Sequence, residues 1–154
     1  MQTDIVVKDK IIETASKFFS HFGFQKTTMD EIAKKIHKAK GSLYYHFRSK
    51  EELYNEVLKQ ELHEIKAELS KITQAGKNPV DTFEEYIKTR LKLLQKAKNY
   101  HETIKSDFTE RYGFVDDVRR DFDEFERRQL TEIFKSGEKS GVLKVSDIKT
   151  NIEL

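Results

Sequence analysis

Residues 27–53 read Thr27-Thr28-Met29-Asp30-Glu31-Ile32-Ala33-Lys34-Lys35-Ile36-His37-Lys38-Ala39-Lys40-Gly41-Ser42-Leu43-Tyr44-Tyr45-His46-Phe47-Arg48-Ser49-Lys50-Glu51-Glu52-Leu53. Thr28 to Glu31 is a capping box, in which the threonine hydroxyl accepts from the Glu31 amide while the glutamate reaches back to the cap. It opens a short helix with Met29, Ile32, Ala33 and Ile36 on its inner face. After a break at His37-Lys38, the segment 40–47 turns Leu43 and Phe47 inward and leaves Tyr44, Tyr45 and His46 largely outside. Ser49 to Glu52 is a second capping box, and it opens a long helix whose Leu58, Leu62, Ile65, Leu69 and Ile72 keep one face apolar. Two short helices joined by a tight break have the size of a helix-turn-helix.

The charge pattern falls on the same place. Residues 1–60 carry 11 basic and 8 acidic side chains, whereas 61–154 carry 18 and 19. The window from Lys34 to Lys50 holds Lys34, Lys35, Lys38, Lys40, Arg48 and Lys50 without a single acid. A short basic run by itself is usually a solvated face. One that surrounds an exposed helix carrying two tyrosines fits a polyanion better, so double-stranded DNA is the expected partner.

Outward from this centre the chain reads as helix throughout. Ile11, Ile12, Ala15, Phe18, Phe19 and Phe22 predict a first helix over about 7–22, stopped by Gly23. Asn78-Pro79 reads as N-cap and first-turn proline of a helix with Phe83, Ile87, Leu91 and Leu94 as its buried stripe. A shorter helix is expected over about 101–111. A longer one over about 115–136 follows, with Val118, Phe122, Phe125 and Ile133 inward and Gly137 and Gly141 closing it. Ser146 is in position to cap one more. The fold class is all-α.

Composition narrows the chemistry. With no cysteine among 154 residues there is no disulfide framework, thiol catalysis or Cys-ligated metal. No 18-residue apolar run or signal-peptide pattern occurs, so a cytoplasmic protein without membrane association is expected. The acidic run Asp116, Asp117, Asp121, Asp123, Glu124 and Glu126 reads as solvated pairing, with Asp116–Arg120, Asp123–Arg127 and Glu124–Arg128 at i to i+4 spacing. His21, His37, His46, His63 and His101 show no ligand spacing, so neither a metal nor a cofactor is expected and the sequence points away from an enzyme. Phe83, Tyr86, Tyr100, Phe108, Tyr112, Phe122 and Phe125, with Phe114, are candidates to line a pocket for a lipophilic or aromatic effector. For any one of them, simple core packing is the more ordinary role.

The motif Thr27 to Ala33, followed by Lys40-Gly41-Ser42-Leu43-Tyr44-Tyr45-His46-Phe47 and Ser49-Lys50-Glu51-Glu52-Leu53, resembles the N-terminal signature of the tetracycline-repressor (TetR) family of bacterial transcription regulators. The likeness is contiguous over about 11–58, and beyond that only the helix order is shared. It implies a homodimeric repressor with a helix-turn-helix domain at 1–47 and a helical ligand-binding and dimerisation domain at 48–154. Such a repressor binds a palindromic operator and is released by a small-molecule effector. Carried onto this sequence, Lys40, Gly41, Ser42 and Tyr44 approach bases, while Thr28, Tyr45, His46 and Lys50 hold phosphates. The residue chemistry agrees, since an N-cap hydroxyl and a first-turn lysine suit phosphate and Lys40 can donate to guanine.

Three positions depart from the family pattern. His37 stands where a positive φ is expected, Lys38 where the family is apolar, and Ala39 where a capping side chain belongs, so a recognition helix that frays until DNA binds is expected. The resemblance also makes the chain end where the family's last dimerisation helices would begin. A ligand-independent architectural DNA-binding protein is the alternative reading.

Overall fold

A computed structural model of the chain describes residues 2–144. The expected helix at Ser146 lies outside the described residues. Among those residues there are eight α-helices, one 3-10 turn and no strand. They fall into two compact units, Met1–Glu61 with Lys98–Val115, and Leu62–Ala97 with Asp116–Leu154.

The first unit holds α1 (Gln2–Phe22), α2 (Met29–Lys35), α3 (Lys40–His46) and the opening of α4 (Lys50–Gln74). Ile11, Ala15, Phe19, Ile32, Leu43, Phe47, Leu53, Val57 and Leu58 are all buried. The first helix begins at Gln2, about a turn earlier than its apolar periodicity predicts. The added turn carries Asp4 near the helix start, where the dipole favours an acid, and leaves Ile5 and Val6 exposed. Burial therefore marks where α1 packs and not where it starts. Gly23, at φ 85°, ends it by donating its N–H to the Phe19 carbonyl at 2.9 Å, a left-handed cap that suits glycine.

The expected helix over 101–111 is two helices instead, α6 (Lys98–Thr103) and α7 (Ser106–Arg111), followed by a 3-10 turn at Gly113–Val115. The break comes where the Thr103 hydroxyl bonds back to the Tyr100 carbonyl at 2.7 Å. Hydrogen bonds from the Ile104 and Lys105 amides close onto residues three positions earlier. A back-bonding threonine beside a β-branched isoleucine weakens helix continuation there. The start of α6 is held by the Glu61 carboxylate, which accepts from the Tyr100 amide at 2.9 Å and from the Asn99 side chain at 3.0 Å. Asn99 also donates to the Ser16 carbonyl, and its own carbonyl accepts from the Tyr54 hydroxyl at 3.1 Å.

The second unit holds the rest of α4 with α5 (Pro79–Lys96) and α8 (Asp116–Lys139). Asn78 caps α5 as expected, accepting from the Asp81 amide, and Pro79 occupies the first turn. The buried face of α5 is nevertheless rotated from the expected stripe. Thr82, Tyr86 and Leu94 are buried, Phe83 and Ile87 are half-buried, and Leu91 is 54% exposed. On α8 the inward row is Val118, Phe122, Glu126 and Leu130, with Phe125 half-buried. Both helices thus meet along rows stepping by four, the ridge spacing by which helices interlock.

The rotation brings Arg90, four residues beyond Tyr86, onto Glu126. Two guanidinium nitrogens donate to the two carboxylate oxygens, one of them at 2.9 Å. The acidic run on α8 pairs differently from the expected i to i+4 ladder: Asp117 with Arg120, Asp121 with Lys66, and the buried Glu126 with Arg90. The helix ends at Gly141, at φ 74°, and not at Gly137, which stays buried within α8. The Val142 amide reaches the Gly137 carbonyl at 3.0 Å and the Gly141 amide reaches Glu138, a Schellman closure that seats Leu143 on Gly137.

Candidate nucleic-acid interface

The capping box at the start of α2 forms as the sequence predicts. The Thr28 hydroxyl accepts from the Glu31 amide at 3.2 Å, and the Glu31 carboxylate accepts from the Thr28 amide at 3.0 Å. Thr27, fully buried, donates its hydroxyl to the Gly23 carbonyl at 2.8 Å and fastens the α1–α2 turn to the helix start. Its motif was legible in sequence, but its anchoring role needs a partner nine residues back or in the turn, which no local pattern supplies.

His37 carries the connection between α2 and α3 at φ 56°, the left-handed conformation expected there without glycine. Ala39 provides no side-chain hydrogen bond to α3. The helix runs from Lys40 to His46 all the same, with Leu43 as its buried anchor. At the second box, Ser49 accepts from the Glu52 amide at 3.1 Å, while the Glu52 carboxylate turns to the Arg48 amide at 2.9 Å. Half of the predicted box is present, and its other arm shifts by one residue.

The exposed face of α3 collects most of the predicted contact residues. Lys40, Gly41, Tyr44 and Tyr45 are exposed, with Tyr44 at 43% and Tyr45 at 76%, while Ser42 and His46 are half-buried. Nothing lies within 4 Å of where a Gly41 side chain would project. Its lack of a side chain therefore answers no need of the protein's own packing and leaves room for a close external surface. The Lys40 ammonium lies 3.4 Å from Asp30 and 5.9 Å from the centre of the Tyr44 ring. This ion pair is solvated and weak, so it competes poorly with a phosphate. The Tyr45 and His46 rings meet edge to face at 5.0 Å. Thr28 is exposed at the start of α2, and Lys34, Lys35, Lys38 and Arg48 also face solvent.

Lys50 is placed differently from a free surface cation. Its ammonium donates to the Phe24 carbonyl at 2.8 Å and to the Gln25 carbonyl at 3.3 Å, and it lies 4.4 Å above the centre of the Phe24 ring. Two of its three protons are directed into the α1–α2 turn. Sequence pattern could not anticipate these acceptors because they are main-chain atoms some 25 positions away.

The seven candidate effector residues divide between the units. Tyr100, Phe108 and Tyr112 belong to the first, and Phe83, Tyr86, Phe122 and Phe125 to the second. Within the first, Phe108 and Tyr112 lie 4.8 Å apart and surround Phe24 together with Phe114. Within the second, Tyr86 is fully buried next to the Arg90–Glu126 pair, and among the described residues its hydroxyl makes no hydrogen bond of full geometry, although it faces the Glu126 carboxylate. Burial, and then the Glu126 charge, push that hydroxyl's pKa well above the ordinary tyrosine value. Among the described residues, no group of three or more His, Asp or Glu side chains is arranged to hold a metal ion, and no helix is long and apolar enough to cross a membrane.

A short capped helix, a left-handed break and an exposed second helix in an acid-free basic window have the geometry of a helix-turn-helix. Residues 11–57 match the family described as bacterial regulatory proteins, tetR family. It is 35% identical over 98 residues to the uncharacterized HTH-type transcriptional regulator YhgD of Bacillus subtilis, a match spanning 64% of this chain and 50% of YhgD. It is 49% identical over 53 residues to the negative regulator IcaR of the Staphylococcus aureus biofilm operon icaADBC, covering 34% of this chain and 28% of IcaR. The chain thus matches half or less of the length of these curated relatives. Its fold is shared with the transcriptional regulator FadR of Bacillus subtilis, solved in complex with stearoyl-CoA, at a TM-score of 0.77 and 17% identity over 94% of this chain and 78% of FadR.

Proposed function

We propose that the chain acts as a cytoplasmic, homodimeric transcriptional repressor. Residues 1–47 dock α3 in the major groove of a palindromic operator, and residues 48–154 serve dimerisation and response to a small-molecule effector. The observation that carries this reading is the α3 face itself: Gly41 open to close approach, with Tyr44 and Tyr45 exposed among cations and no acid between Lys34 and Lys50. In this arrangement Lys40, Gly41, Ser42 and Tyr44 meet base edges, whereas Thr28, Tyr45 and His46 meet the sugar-phosphate backbone. Lys50 fixes the turn behind them and keeps one proton for a phosphate. The negative regulation named for IcaR supports repression, and the acyl-CoA bound by FadR supports a lipophilic effector. An effector shifts DNA affinity only by binding the DNA-competent and incompetent arrangements unequally.

The test is fluorescence anisotropy on DNA from upstream of the chain's own gene against scrambled DNA, at two salt concentrations. Preference for the upstream DNA that Tyr44→Ala erases, above a salt-dependent background binding that it leaves, supports the reading. Equal binding to both DNAs, unaltered by Tyr44→Ala, refutes it.

A further inference from the structure

We infer that the first unit carries a binding site for a small amphipathic carboxylate, in the cleft between the turn after α1 and helices α6–α7. This deepens the effector reading above and rests on it, but places an effector in the unit that bears the helix-turn-helix. The cleft has a volume of about 310 Å³, within the lower range of small-molecule sites, roughly 300–1,000 Å³. Its apolar lining is aromatic: Phe22, Phe24, Phe108 and Tyr112. Phe24 and Phe108 are buried, whereas Phe22 is 52% exposed although it ends a helix with a well-formed core face. An exposed ring beside a cleft supplies apolar surface that a ligand can cover.

The polar rim gives the ligand its charge. Lys26 and Arg111 line the cleft and form no ion pair among the described residues, while Lys105 is already engaged by Glu102 at 2.7 Å. Asp107 is the opposing charge, so the free rim holds two cations against one anion. Arg111 offers the planar fork that binds carboxylates with two parallel hydrogen bonds. An apolar body on the aromatic floor with a carboxylate turned to Arg111 and Lys26 satisfies both halves of the site.

The location links the site to DNA. The cleft wall includes Phe24 and Gln25, whose carbonyls receive the Lys50 ammonium at the first turn of α4. A ligand pressed on this turn acts on the anchor of the helix that follows α3 directly in the chain.

The experiment is isothermal titration of the DNA-free chain with naphthoate and decanoate, and with the uncharged naphthamide as control. Naphthoate is expected to bind about tenfold more tightly than naphthamide, as a charged hydrogen-bond pair implies. Arg111→Gln should erase that difference, Phe22→Ala should weaken both ring compounds several-fold, and Asp107→Asn should tighten naphthoate. Circular dichroism melts of each variant verify the fold. No binding of either carboxylate, or binding indifferent to Arg111→Gln and Phe22→Ala, overturns the site. Binding altered by Tyr86→Phe alone also overturns it, by putting the ligand in the second unit and leaving the effector reading in place. Because DNA is absent from the titration, failure of the repressor reading registers only in the anisotropy assay.

Discussion

The ammonium of Lys50 donates to the main-chain carbonyl of Phe24 at 2.8 Å while resting on the same residue's ring. One side chain at the start of α4 thereby fixes the turn between α1 and the helix-turn-helix. Lys50→Ala removes donors from two carbonyls and is expected to cost about 1–3 kcal/mol. It should lower the melting temperature and also weaken binding to specific and scrambled DNA alike. Thermal melts with anisotropy on both DNAs check this. A loss of DNA binding with an unchanged melt would reduce Lys50 to a phosphate contact alone.

Gly41 sets stability against function. An alanine side chain there meets nothing within the protein, and alanine favours the helix by up to about 1 kcal/mol over glycine. Gly41→Ala should therefore raise the unfolding midpoint in urea while weakening operator binding at least tenfold, because the methyl group stands where the groove wall must approach. Unchanged operator affinity would move the contact surface away from this residue.

Ala39 leaves the start of α3 without a side-chain cap. Its extended backbone, at φ −70° and ψ 149°, is the conformation an N-cap residue adopts. Ala39→Ser should stabilise the protein by about 1 kcal/mol. Amide hydrogen exchange across α3 should slow in the free protein, and the difference should shrink on operator DNA. Equal exchange in both proteins would mean that α3 is already held by Leu43 and its neighbours.

The Arg90–Glu126 pair and the Tyr86 hydroxyl make two opposite predictions. Glu126→Ala removes the carboxylate to which the mostly buried Arg90 guanidinium donates and should cost about 3–5 kcal/mol in chemical denaturation. Tyr86→Phe removes a buried hydroxyl that makes no hydrogen bond of full geometry among the described residues, and should be neutral or stabilising by up to about 1 kcal/mol. A large loss for Tyr86→Phe would reveal a bond from that hydroxyl.

High pH separates the same tyrosine from the rest. Burial raises the Tyr54 and Tyr86 hydroxyls above the ordinary value of 10.0, with Glu61 adding at Tyr54 and Glu126 at Tyr86. The unfolded chain then loses these protons first, so their contribution is complete below pH 10 and declines as pH rises above it. Each tyrosine should steepen the loss by about 1.4 kcal/mol per pH unit in that window. Stability measured from pH 9 to 11 should fall less steeply in Tyr86→Phe than in the parent. Parallel curves would exclude Tyr86 as a contributor.

Features whose causes lie within one turn of chain were legible in the residues alone. Thr28 with Glu31, Asn78 with Pro79, and Gly23 act on amides and carbonyls a few positions away, so their residue types specify helix ends directly. The exposure of Tyr44 and Tyr45 likewise followed from where Leu43 and Phe47 must point. Features that depend on partners distant in the chain were set by packing. The register of α5 follows the burial of Thr82, Tyr86 and Leu94, which also brings Arg90 to Glu126, thirty-six residues on, and no apolar count along α5 could reveal it. Distant partners likewise hold the start of α6 on Glu61 and turn Lys50 inward to the Phe24 carbonyl. Backbone acceptors carry no residue identity, so side chains that bind them leave no pattern in sequence.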